Sequence, residues 1–189
     1  MKNVCVYCGS NKGVREAYAD AARKLARHLA AQGVGIVYGG ASRGLMGILA
    51  DEMLRAGGSA IGVIPAALRA REIAHSHLTG LHVVNSMHER KALMAELSDG
   101  FVALPGGFGT LEEIVEMLTW AQLQFHAKPC GLLNTDGYFD RLLSWFEHAE
   151  AEGFLRPQHR KMLLVASEAP ELMALFEQYR APVVQKWTR

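Results

Sequence analysis

The stretch from residue 100 to residue 113 has the sequence GFVALPGGFGTLEE, and its glycines separate an apolar run from a helix-like segment. The apolar run over residues 100–104 is typical of a strand buried on both faces. The segment from about Thr110 has the composition of a helix. A strand, a tight turn and a helix in this order form the repeating unit of a parallel α/β sheet.

The same alternation continues along the whole chain of 189 residues. Strands are predicted at residues 3–7, 34–38, 60–64, 81–84, 100–104, 129–133 and 163–165. Helices are predicted at residues 15–32, 45–55, 89–98, 111–123, 138–152 and 171–179. We therefore predict one α/β domain over residues 1–189, a doubly wound, Rossmann-like parallel sheet of about seven strands flanked by helices.

Two segments stand outside this pattern. Residues 65–80 form a long irregular connection, and a loop of that length in a compact domain is often functional. The tail after about residue 180 is expected to pack loosely.

The composition limits the classes of function. Hydrophobic residues make up 50% and charged residues 21% of the chain, as in an ordinary soluble globular protein. A net charge of +1 gives no reason to expect nucleic acid or an anionic membrane as a partner. No apolar run could span a bilayer, and Met1 leads almost directly into a strand, which argues against a signal peptide. Three cysteines, an odd number, favour a reducing compartment. We expect a cytoplasmic protein.

Small residues follow three of the predicted strands. In sheets of this kind, ligands bind beyond the carboxyl ends of the strands. The segments concerned are Cys8-Gly9-Ser10, Gly39-Gly40-Ala41-Ser42 and Pro105-Gly106-Gly107. Because small residues let several backbones approach one ligand, Gly9, Ser10, Gly39 and Gly40 are predicted to line a phosphate or nucleotide site.

The glycines of the PGGFGT loop have two interpretations. Gly106, Gly107 and Gly109 allow backbone angles closed to other residues and can turn N–H groups toward an oxyanion, and the following helix adds its free N–H groups. Alternatively, a tight turn needs glycine only for steric reasons. Three glycines in four positions exceed that need, so we favour anion binding. The spacing is neither the dinucleotide fingerprint nor a Walker loop, which indicates a single phosphate.

Glu113 also has two interpretations. Thr110 followed three residues later by Glu113 is the pattern of a capping box, in which each side chain bonds the other's backbone N–H. However, a glutamate at the start of a phosphate-binding helix repels the ligand, which favours a catalytic reason for its presence. The residues alone leave both interpretations open.

SMHERK, residues 86–91, opens the helix after the fourth predicted strand. Arg90 and Lys91 then lie in its first turn, where cations oppose the helix dipole. This unfavourable placement suggests that they face an anion in the same crevice. The alternative is that they are solvated surface charges.

Three other groups of residues resemble chemical motifs. Cys5 and Cys8 have the spacing of a redox pair, but they lie along a strand rather than at a helix start, so Cys5 is predicted to be a buried small hydrophobe. A lone pair of cysteines also argues against zinc. Four histidines lack partners at ligand spacing and are assigned to loop and surface: His75, His77, His82 and His88. Four methionines at helical spacing are assigned to the core: Met46, Met53, Met87 and Met94.

Taken together, LPGGFGTLEE, SMHERK and VYGGASRGLMG closely resemble the LONELY GUY (LOG) family of cytokinin riboside 5′-monophosphate phosphoribohydrolases, which are often mislabelled as lysine decarboxylases. The family pattern PGGxGTxxE is matched by Pro105, Gly106, Gly107, Gly109, Thr110 and Glu113. The resemblance extends from VCVYCGS to TWAQLQFHAKPCGLLNTDGYFDRLL, nearly the whole chain. One difference is Ala41, where many plant members have a third consecutive glycine.

The resemblance implies a nucleotide substrate, AMP or a cytokinin riboside monophosphate. It places the catalytic residues at Arg90 and Glu113, and nucleotide contacts at Glu72, Lys91, residues 107–113 and Thr119. It also implies a homodimer, with residues of both subunits near the site, and no metal or other cofactor. For Glu113 it favours catalysis, which capping need not exclude.

Three alternative functions remain open from the residues. One is a nucleotide-binding module without catalysis. Another is decarboxylation with pyridoxal phosphate on Lys91 or Lys128, although neither lysine has a convincing context. The third is redox chemistry through Cys5 and Cys8.

Overall fold

The computed structural model describes residues 1–69 and 74–182. The predicted strands are all present, with each end within one residue of its predicted position. They are β1 (Asn3–Tyr7), β2 (Gly35–Tyr38), β3 (Ala60–Pro65), β4 (Gly80–Val84), β5 (Gly100–Ala103), β6 (Cys130–Leu133) and β7 (Leu163–Ala166). Expectations for Glu72 and for most of the tail fall on residues 70–73 and 183–189, which lie outside the described residues.

The six predicted helices are confirmed, and two short ones are added. The helices are α1 (Glu16–Ala31), α2 (Gly44–Arg55), α3 (Ala66–Arg69), α4 (Met87–Glu96), α5 (Phe108–Gln122), α6 (Asp140–Ala151), α7 (Pro157–Arg160) and α8 (Ala169–Gln178). Helices α3 and α7 have four residues each, too few to show a helical period in sequence. Helix α3 occupies part of the connection that was predicted to be irregular.

The strands form one parallel sheet in the order β4-β3-β2-β1-β5-β6-β7. After β1 the chain moves outward to β2, whereas after β5 it moves in the opposite direction to β6. The loops that follow β1 and β5 therefore diverge and leave a crevice between them. Pairing of Tyr7 with Ala103 brings the starts of these loops together at the same edge.

Alternate residues of the central strands enter two separate cores. Val4 and Val6 pack in the layer that contains α1, α2 and α8. Cys5 and Tyr7 pack in the opposite layer, with α4, α5 and residues of α6. Burial on both faces explains why these strands are continuously apolar in sequence. Strand β4, at one edge of the sheet, is more exposed.

The cysteines are buried and free, as predicted for Cys5. Burial raises the pKa of the Cys5 thiol to about 12 and also raises the pKa values of Cys8 and Cys130. Since the thiolate is the reactive form, these side chains behave as small apolar groups and not as a redox pair.

Two assignments to the surface or the core were wrong. His75 is buried and not on the surface. Its Nε2 lies 3.0 Å from Asp51 Oδ1, and its backbone N–H donates to the Gly40 carbonyl. Met46, Met53 and Met94 are core residues, but Met87 is 42% exposed.

Across residues 1–69 and 74–182, no helix combines the length and apolar character needed to cross a membrane.

Candidate active site

The loops after β1 and β5 and the first turns of α4 and α5 enclose a crevice with two lobes. The carboxylate lobe, which contains Arg90, Glu112 and Glu113, has a volume of about 310 Å³. The tyrosine lobe, which contains Tyr18 and Tyr138, has a volume of about 260 Å³. The lobes share three residues, Gly9, Ser10 and Gly107. Together they provide a concave site of the size that binds a small molecule.

A buried ion pair lies in the carboxylate lobe. Arg90 Nη1 donates a hydrogen bond to Glu113 Oε1 at 2.7 Å, and the two side chains are only 11% and 10% exposed. Arg90 Nε donates to the Val63 carbonyl at 3.0 Å, which fixes the guanidinium against β3. Arg90 is therefore not a solvated surface charge.

Gly39 makes room for this arginine. A Cβ atom at Gly39 would lie 2.5 Å from Arg90 Nη2. Glycine at this position is thus required for the guanidinium to lie against the end of β2. Gly39 lines the carboxylate lobe, whereas its neighbour Gly40 does not. Gly40 has φ +78° and a Cα close to that of Gly62, so its small size serves packing between β2 and β3.

The protonation of Glu113 is shifted by its surroundings. Burial raises the pKa of the Glu113 carboxyl above its ordinary value, and the adjacent Arg90 guanidinium only partly offsets this effect. A carboxylate with a raised pKa in a cleft is suited to exchange protons closer to neutral pH. The pair can therefore supply a base and a fixed cation at one point of the crevice.

Glu113 does not form the predicted capping box with Thr110. Helix α5 begins at Phe108, and its N-cap, Gly107, makes no side-chain hydrogen bond. Thr110 is consequently the third helical residue and Glu113 the sixth, beyond the reach of the free N–H groups. The prediction that Glu113 belongs to a capping box is wrong, because its carboxylate pairs with Arg90 instead.

A capping arrangement is present at α4, where the sequence analysis did not identify it. Ser86 Oγ accepts a hydrogen bond from the Glu89 N–H at 3.1 Å, and Glu89 Oε2 accepts one from the Asn85 N–H at 2.8 Å. The S-x-x-E pattern in SMHERK was the available signal. This cap fixes the start of the helix that carries Arg90.

The three motif glycines serve different purposes. None of them has a positive φ, so the expectation of backbone angles reserved for glycine is wrong. A Cβ at Gly106 would collide with the Thr110 side chain and lie 2.9 Å from the Gly9 nitrogen. At Gly107 and Gly109 a Cβ would meet no protein atom within 4 Å. The space beside these two glycines, next to the free N–H groups of α5, is where an anion fits.

Lys91 lies outside the crevice lining. Its side chain is 8% exposed, and its ammonium pairs with Glu112 and, at 3.0 Å, with Glu116. Burial lowers the pKa of Lys91, but the two carboxylates raise it more strongly, so the net shift is upward. The lysine thus holds Glu112, which does line the carboxylate lobe. Lys128 is also engaged, since its Nζ donates to the Ala95 carbonyl at 2.7 Å. Neither lysine presents an amine to the crevice, which argues against a Schiff base there.

Thr119 lies in a separate apolar groove. Its hydroxyl donates to the Val115 carbonyl at 2.8 Å, one turn earlier in α5. The groove between α5 and the α6–α7 region has a volume of about 230 Å³. Two of its aromatic residues are strongly exposed, Trp145 at 59% and Phe154 at 88%. Within this chain, Thr119 and the carboxylate lobe share no lining.

Apolar side chains that the sequence analysis did not assign to the site line the carboxylate lobe. They are Met46, Leu68, Met87 and Phe108. Phe108 is 94% exposed, a large unfavourable exposure for an aromatic ring at the mouth of a cleft. The only available signal was proximity in sequence to Arg90 and to the glycine loop.

In the described part of the chain, no group of three or more His, Cys, Asp or Glu residues is placed to hold a metal ion.

Comparisons with known proteins agree on one family. The family model described as "Possible lysine decarboxylase" matches residues 46–176. The protein named "Probable cytokinin riboside 5'-monophosphate phosphoribohydrolase LOGL9", from Oryza sativa subsp. japonica, is 52% identical over 179 residues, which cover 95% of this chain and 79% of the relative. The cytokinin riboside 5′-monophosphate phosphoribohydrolase LOG of the same organism is 47% identical over 95% of this chain and 73% of its own length.

Solved structures share the fold at lower identity. The molybdenum cofactor carrier protein of Chlamydomonas reinhardtii superposes with a TM-score of 0.69 at 23% identity, covering 94% of this chain and 97% of the neighbour. The molybdenum cofactor binding protein of Rippkaea orientalis superposes with a TM-score of 0.70 at 22% identity, over 94% and 97% of the two chains. These likenesses concern the fold alone.

Proposed function

The chain belongs to the LONELY GUY family of cytokinin riboside 5′-monophosphate phosphoribohydrolases, and from this membership we propose that it hydrolyses the N-glycosidic bond of a purine nucleoside 5′-monophosphate. Water is consumed, and the products are the free base and ribose 5-phosphate. The observation that carries the proposal is the buried Arg90–Glu113 pair beside the glycine loop.

Glu113 acts on the sugar carbon in this proposal. As the bond to the base breaks, positive charge develops on the ribose, as it does in glycoside hydrolysis. A fixed carboxylate stabilises that charge and accepts a proton from the attacking water. The raised pKa of Glu113 suits the second role, since it makes the carboxylate a stronger base than an ordinary glutamate.

Arg90 acts on the departing base. Its Nη1 and Nε are engaged by Glu113 and by the Val63 carbonyl. Its Nη2 lies over Gly39, at the wall of the carboxylate lobe. This nitrogen is positioned to hydrogen-bond the base and to stabilise the negative charge that it acquires.

The glycine loop anchors the phosphate. Gly107, Gly109 and Thr110 line the carboxylate lobe where α5 presents its free N–H groups and the positive end of its dipole. Gly106 leaves room for the Thr110 side chain, which a Cβ at this position would displace. Binding the phosphate, remote from the scissile bond, positions the sugar carbon at Glu113.

The apolar wall of the carboxylate lobe holds the base. Met46, Leu68, Met87 and Phe108 form a surface that a purine ring can cover. The same surface tolerates an apolar substituent on the exocyclic amine, so both AMP and a cytokinin riboside monophosphate are proposed substrates.

We also propose that the active form is a cytoplasmic homodimer. The three buried thiols are free, as is usual in a reducing compartment. The apolar groove with exposed Trp145 and Phe154 is the surface that a second copy would cover. Thr119 lines this groove and would then lie at the subunit interface.

The test is a product analysis with matched variants. Purified protein is incubated with AMP, and adenine and ribose 5-phosphate are resolved chromatographically. We expect both products from the native protein and a loss of kcat on the order of a hundredfold or more in Glu113→Gln, the effect of removing a general base. Arg90→Ala should be similarly impaired. Glu96→Gln, an exposed substitution on α4, serves as the control.

Two results would contradict the proposal. Saturable AMP binding without adenine release, unaffected by Glu113→Gln, would indicate a nucleotide-binding module if isopentenyl-AMP is also left intact. Full activity in Glu113→Gln would remove the assigned base.

A further inference from the structure

Almost all the charged groups that line the crevice are already engaged in ion pairs. Arg90 pairs with Glu113, and Glu112 pairs with the buried Lys91. The remaining charged residue of the lining is Lys12, which lies in the tyrosine lobe. Among the described residues, no carboxylate pairs with Lys12. A nucleotide phosphate enters a crevice that contains two carboxylates, and Lys12 is the cation available to it.

The loop that carries Lys12 is held in place by the backbone. The Gly9 N–H donates to the Pro105 carbonyl at 3.0 Å, and the Gly9 carbonyl accepts from the Leu45 N–H at 3.0 Å. Gly13 has φ +74°, and a Cβ there would lie 2.9 Å from the Tyr18 ring. The loop after β1 is therefore fixed at both of its ends, against the glycine loop and against α1.

Two tyrosines connect this loop to the glycine loop. Tyr18 and Tyr138 meet edge to face, with ring centroids 5.4 Å apart at 75°. The Tyr138 hydroxyl donates to the Gly106 carbonyl at 2.7 Å. These contacts set the width of the tyrosine lobe. They also satisfy one carbonyl oxygen of the glycine loop, since the Gly106 carbonyl accepts the hydrogen bond of the hydroxyl.

We propose that Lys12 binds the 5′-phosphate of the substrate from the tyrosine lobe, on the opposite side of Gly107 from the carboxylate pair. Gly107 lines both lobes, so a phosphate held at the turn of Gly107 and Thr110 can meet Lys12 on its tyrosine-lobe side while the glycosidic bond lies at Glu113 in the carboxylate lobe. An ammonium on a flexible stem attracts a phosphate dianion without requiring one fixed geometry. This inference rests on the proposed function, and it adds a residue outside the family pattern PGGxGTxxE.

The experiment compares Lys12→Ala, Lys12→Arg and a control, Lys24→Ala, which removes an exposed lysine of α1 outside the crevice lining. Steady-state kinetics with AMP are combined with calorimetric titration of ribose 5-phosphate and of adenosine. In Lys12→Ala we expect KM for AMP and Kd for ribose 5-phosphate to rise about tenfold, which corresponds to about 1.4 kcal/mol. The affinity for adenosine, which lacks the phosphate, should stay within about twofold of the native value.

Further readouts separate charge from structure. Lys12→Arg should restore most of the affinity, and salt should weaken AMP binding to Lys12→Ala less than to the native protein. An unchanged Kd for ribose 5-phosphate in Lys12→Ala would overturn the inference while AMP hydrolysis continued. An equal loss of adenosine and ribose 5-phosphate binding would also overturn it. A native protein that releases no base from any monophosphate would instead contradict the proposed function, and the ribose 5-phosphate titration would still decide the role of Lys12.

Discussion

Gly106 and Gly109 are three residues apart in the same motif, yet only the first is required to be glycine by the packing of the protein itself. Gly106 is confined by Thr110 and by the Gly9 backbone, whereas Gly109 faces open space. We expect Gly106→Ala to lower the free energy of unfolding by about 1–3 kcal/mol, the usual cost of overpacking. Gly109→Ala should keep or raise stability by up to about 1 kcal/mol, because alanine favours a helix, and should weaken AMP binding.

Urea denaturation and AMP titration of the two variants test this contrast. A destabilised Gly109→Ala protein, or one that binds AMP as tightly as the native protein, would show that the space beside Gly109 is not used by the ligand. The pair of variants thus separates packing from ligand binding within one loop.

The shifted pKa of Glu113 predicts the pH dependence of the reaction. The proposed mechanism requires ionised Glu113, and burial raises its pKa, so we expect activity to be lost on acidification at a higher pH than for an ordinary glutamate. Arg90 opposes this shift, and its removal should raise the pKa further. We therefore expect kcat/KM to fall on acidification at a pH above about 4.3, the ordinary pKa of a glutamate. The residual activity of Arg90→Ala should fall at a higher pH still.

Rates measured between pH 4 and pH 8 check both statements. An Arg90→Ala limb at lower pH than the native limb would show that a group other than Glu113 controls the profile. Glu96→Gln again provides a control whose limb should coincide with the native one.

Part of the crevice lining could be named from the sequence, including Arg90 and Glu113, but the contacts of these side chains could not be derived from it. The spacing of Thr110 and Glu113 fits a capping box as well as a catalytic carboxylate. The distinction depends on the start of α5 at Phe108, which precedes the predicted start because glycine-rich segments are poor helix formers in isolation. Lys91 shows the same limit, since its carboxylate partners lie on another helix.

At the level of elements, the cap of α4 controls the position of Arg90. Ser86 Oγ accepts a hydrogen bond from the Glu89 N–H at the start of the helix, one residue before Arg90. We expect Ser86→Ala to lower the free energy of unfolding by about 1 kcal/mol, as for other N-caps. It should also lower kcat, because the first turn of α4 loosens around Arg90.

Ser144→Ala is the matched control on α6. Ser144 donates back to the Asp140 carbonyl within its own helix, so its replacement by alanine should be neutral or slightly stabilising. Urea denaturation and AMP kinetics of both variants suffice. An equally stable Ser86→Ala protein would mean that the cap contributes nothing to the helix.

The elements themselves were largely predictable because the central strands are buried on both faces. Such strands appear as apolar runs of four to six residues between longer amphipathic segments. Helices α3 and α7 were missed because four residues give no periodic signal. The starts of α4 and α5 lie two and three residues before their predicted positions, since caps and loop packing set these ends.

For the whole molecule, the main prediction concerns assembly. Trp145 and Phe154 expose large apolar surfaces beside the groove of α5, α6 and α7. If this face joins two copies, Trp145→Asp places an unpaired charge in an apolar interface and should convert the dimer to a monomer. Light scattering coupled to size-exclusion chromatography measures the mass directly.

Val83→Asp, on the opposite edge of the sheet in β4, is the control and should leave the mass unchanged. A monomeric native protein would refute the dimer, and a dimeric Trp145→Asp protein would place the interface elsewhere.

The parallel sheet could be predicted from the sequence, but the position of Thr119 in this groove could not, because it depends on how α6 and α7 pack beside α5.

The hydrogen bond from Tyr138 to Gly106 also has a consequence for the order in which the site is completed during synthesis. Every residue of the PGGxGTxxE pattern has been synthesised once Glu113 is added, but the hydroxyl that bonds the Gly106 carbonyl belongs to Tyr138, 32 residues after Gly106. Strand β6 must also be made before Tyr138 can fold back over the glycine loop. A nascent chain that carries the full motif therefore still lacks the wall of its phosphate site.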